Sequence, residues 1–192
     1  MSEPRAPHLA KLVIGLFMPQ RELITPVAGD LAACFGAIDM VSPWFDFAGT
    51  HYYESEMGSP LFRRMVVFKD LIRQADLAAI KRQTNAIEDR YGREGRRGVN
   101  IDPGYLLRER FVLATGKNFA HRIYIGKGIY ADLTLIFRNG HFEPLAWTYP
   151  DYATMAMRGY LEQVRKKYVE DLKAGKTHAE EDLNDMGEEA LR

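Results

Sequence analysis

The stretch HRIYIGKGIYADLTLIFRNGHFEPL, His121 to Leu145, decides the fold. Asn139-Gly140 stands between two runs that alternate apolar and polar residues, the composition of a two-residue hairpin turn whose central positions need positive φ. That turn sets Phe137 opposite Phe142. The earlier turn, Gly126-Lys127-Gly128, keeps the faces separate when it is read as a three-residue loop. It then pairs Tyr124 with Tyr130 and Arg122 with Asp132. Ile123, Ile125, Ile129, Ala131, Leu133 and Leu135 share the opposite face. The segment is therefore an antiparallel meander.

Upstream, the hydrophobic period switches repeatedly. Lys11 to Met18 (KLVIGLFM) is a short apolar run stopped by Pro19, the pattern of a buried strand. Val27, Leu31 and Phe35 fall at helical spacing within Ile24 to Phe35, and Gly36 follows as a C-terminal stop. Ile38 to Phe47 reads as a strand interrupted at Pro43, and Phe62 to Lys69 as another. Asp76 is the expected N-cap of a helix whose inward stripe is Leu77, Ile80, Thr84, Ile87 and Tyr91. Val99 to Asp102 reads as a short strand ended by a type II turn at Asp102-Pro103-Gly104-Tyr105. Phe111 to Thr115 is a further strand. Thr148 and Asp151 have capping-box spacing before a helix over residues 151 to 172.

The expected class is α+β. It has a ferredoxin-like βαββαβ core over residues 11 to 102, extended by the meander and a C-terminal helix. Residues 1 to 10 read as a lead-in, 11 to 173 as one domain, and 174 to 192 as an acidic mobile tail. The length of 192 residues suits one domain.

Lysine plus arginine balance aspartate plus glutamate at 26 each. A generic nucleic-acid or membrane-surface binder would need a cationic surplus. Cys34 is the single cysteine, so no intrachain disulfide or thiolate zinc site can form. Its place in an apolar helical pattern predicts a packed thiol. The longest early apolar run is too short for a signal core or a span, so a cytoplasmic address follows by elimination.

Three polar groups are candidates for chemistry. The first is the loop carrying Tyr53, Glu54 and Glu56, followed by Arg63 and Arg64. The second runs from Arg93, Arg96 and Arg97 into Asn100 and Asp102. The third is Lys117, His121, Arg122, Lys127 and Asp132. Asn100 and Asp102 share a strand face, and their oxygens could hold Mg²⁺ beside an arginine loop that takes phosphate. Asp102 could equally cap its own turn. Arg122 and Asp132 fit a cross-strand ion pair as well as a ligand site. His121 reads as a structural group on the Leu133 side, or as a base if a carboxylate lies near. Glu54 and Glu56 fit a solvated loop or an acid–base pair. These readings give Asp102, His121 and Glu54 as catalytic candidates. The phosphate-binding, dinucleotide, nucleophile-elbow and zinc-protease signatures are absent.

Long strings of this chain resemble an uncharacterised bacterial family, domain of unknown function 4416. They are Gly36–Gly58, Val99–Leu106 (VNIDPGYL), Lys117–Leu135 (KNFAHRIYIGKGIYADLTL) and Trp147–Tyr152 (WTYPDY). The resemblance runs from about Lys11 to Leu172 and implies no established activity, although some members carry a GTP-binding label. A second resemblance is to the ferredoxin-like hydroxymethyl-dihydropterin pyrophosphokinases, in the order of a tyrosine-containing loop, an arginine loop and an Asp-x-Asp strand. Asn100 replaces the first of those aspartates. The expected function is binding of a nucleotide or another phosphorylated metabolite with Mg²⁺; the alternative is a non-enzymatic binding or assembly module.

Overall fold

The computed structural model describes residues 3–46, 54–92 and 97–189. The chain is a mixed α+β protein built on one antiparallel sheet. Strand β1 (Ala10–Met18) is its centre and is buried along its whole length. It pairs with β4 (Phe62–Ile72) on one side and β5 (Asn100–Leu106) on the other. β2 (Ile38–Val41) and β3 (Phe45–Asp46) both pair with β4, split as expected around Pro43. Beyond β5 come β6 (Arg110–Thr115), β8 (Ile129–Arg138) and β7 (Arg122–Gly126), giving the order β2-β4-β1-β5-β6-β8-β7. β9 (His141–Pro144) also pairs with β8.

Alternation along β1 sorts the core into two layers. Leu12, Ile14, Leu16 and Met18 pack with Val27 and Leu31 of α1 (Ile24–Phe35) and Ile80 and Ile87 of α3 (Leu77–Arg90). Val13 joins Met65, Val67 and the side chains of α4 (Pro150–Ala153) and α5 (Met155–Glu189), among them Tyr152, Leu161, Val164 and Tyr168. A strand covered on both faces has no polar side to alternate with, hence the continuous apolar run. α2 (Glu54–Met57) is a single turn before β4. Among the described residues no helix is long and apolar enough to cross a membrane.

The meander has the expected register: Phe137 faces Phe142, Tyr124 faces Tyr130 and Arg122 faces Asp132. Asn139 and Gly140 both have positive φ, as their turn requires. The first turn differs from expectation. Gly126 pairs with Ile129 across a two-residue Lys127-Gly128 turn, and an irregularity between Tyr124 and Gly126 restores the register. Ile123 is 68% exposed, because β7 is the edge strand.

The Asp102-Pro103-Gly104-Tyr105 turn does not form. β5 runs straight through it, and β5 lies inside the sheet rather than at its edge. The backbone N–H and C=O of Ile101 point away from β1, toward the β6 side. Pro103, two residues on, faces the same way. The β5–β6 ladder covers only Gly104–Leu106, so the N–H that Pro103 lacks falls where β6 has already parted from β5. Gly104 is required for closeness rather than for φ, since a Cβ there would lie 2.5 Å from the Val112 carbonyl oxygen.

Smaller corrections have local causes. Asp76 is itself helical, and its carboxylate accepts from Arg73 at 2.9 and 2.7 Å instead of capping α3. Thr148 bonds Leu145 N and Thr134 O, and Asp151 pairs with Arg63, so neither caps α4. Thr154 interrupts the expected helix in extended geometry, and its hydroxyl takes Met157 N. α5 then continues to Glu189, past the expected end at 172. Cys34 is exposed, not packed, because it lies off the Val27–Leu31 stripe of α1.

Candidate functional site

The split between β5 and β6 opens into a cavity of about 490 Å³. Its floor is the face of the sheet that carries Phe17, Arg63 and Asp102, with Gly15 of β1 opposite Asp102 in the ladder. A Cβ on Gly15 would meet the Tyr152 hydroxyl at 2.8 Å and Arg63 Nη2 at 3.1 Å. Glycine there lets both groups lie close against the sheet. Arg63 is 3% exposed, pairs with Asp151, and sits 4.3 Å from the Tyr152 ring centre. Burial pushes the Tyr152 phenol up to about 12.

One wall comes from α3, whose side chains complete the unpaired edge of β5. Glu88 Oε1 accepts from Ile101 N at 2.6 Å, and Lys81 Nζ donates to Ile101 O at 2.7 Å. Two side chains thus occupy the places a neighbouring strand would take. Lys81 also lies 3.8 Å from Glu88 and 3.7 Å from Asp102 Oδ1. Burial raises the Glu88 pKa, and the charge of Lys81 only partly offsets it. Next along β5, Arg97 donates to Asn100 Oδ1 and Asn100 Nδ2 donates to Asp102 Oδ2, each at 2.7 Å. Asp102 is held by this chain and keeps 28% of its side chain exposed.

The other wall is the end of β6, from Leu113 to Lys117, with Asp132, Tyr149 and Asp151. Asp132 is 2% exposed; it accepts from Arg122 Nε at 2.9 Å and lies 3.3 Å from His121 Nε2. Arg122 reaches on to Lys117 O at 2.9 Å and the Tyr149 hydroxyl at 2.6 Å. His121 therefore meets a carboxylate rather than the apolar Leu133 face. It precedes β7, so strand alternation does not direct it.

Of the expected site residues, the cavity gathers Glu56, Arg63, Arg97, Asn100, Asp102, Lys117 and Asp132. Arg122 and His121 stand behind Asp132. Arg64 points to the opposite face of β4 from Arg63, where it donates to Ser42 O at 2.9 Å and lies over Trp44. Lys127 occupies the β7–β8 turn, outside the cavity lining. Tyr53, Arg93, Arg96 and the Glu54 side chain lie outside the described residues. Arg97 donates to the Asn100 oxygen, and the Asn100 amide in turn holds Asp102 in place. Among the described residues, no group of three or more His, Cys, Asp or Glu side chains converges as a metal site. Sequence reasoning missed Lys81, Asn85, Glu88 and Asp89. Their spacing along α3 is a polar stripe beside the apolar one, which in the sequence is indistinguishable from an ordinary solvent-facing side of an amphipathic helix.

The family model described as domain of unknown function (DUF4416) matches residues 8–168, and the chain belongs to that family. No curated protein matches the chain, and no solved structure does.

Proposed function

We propose that the cavity at the β5–β6 split binds a nucleotide or another phosphorylated metabolite together with Mg²⁺. The observation that carries this reading is the placement of two cations around Asp102: Arg97 enters just before β5, and Lys117 follows β6 on the far side of the split. Among the described residues, six carboxylates line the cavity (Glu56, Glu88, Asp89, Asp102, Asp132, Asp151) against four cations (Arg63, Lys81, Arg97, Lys117). A phosphate alone would add to that excess. A divalent cation between phosphate and carboxylate relieves it, and Mg²⁺ binds through few carboxylates plus substrate phosphates. Asp102, partly exposed and oriented by Asn100, is the carboxylate we assign to the metal.

Thermal shift with nucleotides, with and without Mg²⁺, tests the reading. Binding raises the melting temperature by mass action. The wild type should respond only when both are present, and Asp102→Ala should lose the response while its own melting point barely moves. Absence of a shift with any nucleotide or sugar phosphate, or an undiminished shift in Asp102→Ala, overturns it.

The alternative of an assembly module is favoured by the β7 edge, where Ile123 and Tyr124 are 68% and 60% exposed. Concentration-dependent self-association abolished by Ile123→Lys would favour it. We also read β1, α1, β2/β3, β4, α3 and β5 as a ferredoxin-like plait, supported by the order β2-β4-β1-β5 with α1 and α3 packed on one face. A cytoplasmic setting agrees with the single cysteine.

A further inference from the structure

Beside the cavity stands a row of rings, Phe119, His121, Trp147 and Tyr149, the last three held by their polar edges. His121 stacks on Trp147 with centroids 5.0 Å apart and planes 13° apart, and Phe119 lies 5.3 Å from His121 on a tilted plane. The polar edges are spent inward. Trp147 Nε1 donates to Leu133 O at 2.8 Å, and His121 Nε2 lies 3.3 Å from Asp132. The Tyr149 hydroxyl accepts from Arg122 at 2.6 Å. His121 covers one face of Trp147, yet the rings stay accessible: Phe119 is 65%, Trp147 40% and Tyr149 38% exposed.

Hydrogen bonds at their edges fix Trp147, His121 and Tyr149, and Phe119 leans on the held His121 ring, which suits a surface that receives another flat group. The row is continuous with the cavity at three points. Asp132 and Tyr149 line the cavity and belong to the row, and Lys117, two residues before Phe119, lines it as well. An extended ligand with phosphate near Lys117 would therefore lay its other end on these rings.

We propose that Phe119 and Trp147 form a stacking platform for the planar heteroaromatic base of the ligand, so that the ligand class is a nucleotide rather than a plain sugar phosphate. This rests on the phosphate reading of the cavity. Base–aromatic stacking contributes about 1–3 kcal/mol per base, or roughly 5- to 150-fold in affinity. It needs no complementary hydrogen-bonding edge, so the platform discriminates base from no base more than one base from another.

Calorimetry with Mg²⁺ should compare nucleoside triphosphates, ribose 5-phosphate and inorganic triphosphate on the wild type and Phe119→Ala. Phe119 is 65% exposed and outside the buried core, so its removal spares the fold. Nucleotide affinity is expected to fall about tenfold or more in Phe119→Ala, with inorganic triphosphate unchanged. In Trp44→Phe, Trp147 is the sole tryptophan, and its fluorescence should be quenched by nucleotides but not by inorganic triphosphate. If nucleotides and inorganic triphosphate bind equally well and Phe119→Ala changes neither, the platform is wrong and the phosphate site stands. If no phosphate compound binds at all, both readings fall.

Discussion

Two ionic clusters sit on the same face of β1, one near each end, and they are built on opposite plans. At the start of the strand, Lys11 is fully buried. Its ammonium donates to Asp39 at 2.9 Å, Asp171 at 2.7 Å and Lys69 O at 3.1 Å. Three donors meet three acceptors, and Lys167 closes the ring against both carboxylates. Near the other end, opposite Gly15, Asp102 meets an amide and a lysine at 3.7 Å and stays partly open to the cavity. The first cluster ties α5 and β2 to the sheet. The second leaves electrostatic capacity unspent, which is what separates a site that can take a ligand from one that only holds a fold.

The largest effect should come from opening the closed cluster. Lys11→Ala leaves Asp39 and Asp171 with only the partly exposed Lys167 to balance them, and losing one partner of a buried pair costs about 3–5 kcal/mol. Urea unfolding measures this. A loss below about 1 kcal/mol would show that the cluster is a solvated surface pair and would erase the contrast. Gly15→Ala attacks the open end, four residues along the same strand. The new methyl group must displace the Tyr152 hydroxyl or Arg63, and overpacking of this kind costs about 1–3 kcal/mol. Ligand binding in that variant should weaken beyond what the stability loss explains. Unchanged stability together with unchanged binding would mean that Tyr152 and Arg63 do not form the cavity floor.

Much of this architecture was legible in the residues. The Asn139-Gly140 turn set the Phe137–Phe142 pair, because a hairpin turn and a period of two determine register locally; the Arg122–Asp132 pair was legible from alternation, although its turn is shorter than expected and an irregularity in β7 makes up the difference. Helix α1 followed from its apolar spacing alone. Asp102-Pro103-Gly104 misled because Pro-Gly has two uses: it makes a turn, and it also suits a strand in which the proline has no neighbour on its N–H side and the glycine lets the next strand approach closely. Which use applies depends on where β6 parts from β5, a tertiary fact. The site was half legible for the same reason. Residues on strands and loops stood out as polar strings, but Lys81 and Glu88 reach the site from a helix by bonding to the Ile101 backbone, and no pattern announces that.

The two clusters should also differ in the sign of their pH dependence. Burial pushes Asp39 and Asp171 up, but the bonds and charges of Lys11 and Lys167 outweigh it and hold both below the ordinary value of 3.8. Their contribution to stability is thus present above 3.8 and lost as pH falls through the lowered values. Glu88 is shifted the other way, above its ordinary 4.5, by burial. A carboxyl that holds its proton more tightly when folded loses stability as pH rises from 4.5 through the raised value. Urea midpoints across this range, for Asp39→Asn and Glu88→Gln, separate the two. Asp39→Asn should flatten the profile below 3.8 and Glu88→Gln should flatten it above 4.5. Glutamine can still accept from Ile101 N, so the second change should cost less than about 1.5 kcal/mol at neutral pH. A profile in Glu88→Gln that is unchanged above 4.5 and flatter below it would mean that Lys81 controls that carboxyl after all.

The smallest stability effect is expected at the residue on which the functional reading depends. Asp102→Asn keeps an oxygen for the Asn100 amide and removes one charge that faces Lys81 at 3.7 Å across a partly exposed site. Such a pair contributes at most about 1 kcal/mol, and Lys81 retains Ile101 O at 2.7 Å and Glu88 at 3.8 Å. The urea midpoint should therefore shift by no more than that, while the Mg²⁺-dependent nucleotide response disappears, because an amide oxygen is a poor substitute for a carboxylate at a divalent cation. A stability loss as large as that of Lys11→Ala would make Asp102 part of a second closed cluster. The cavity would then be a gap between structural ion pairs, and the distinction between the two ends of β1 would fail at the residue chosen to carry it.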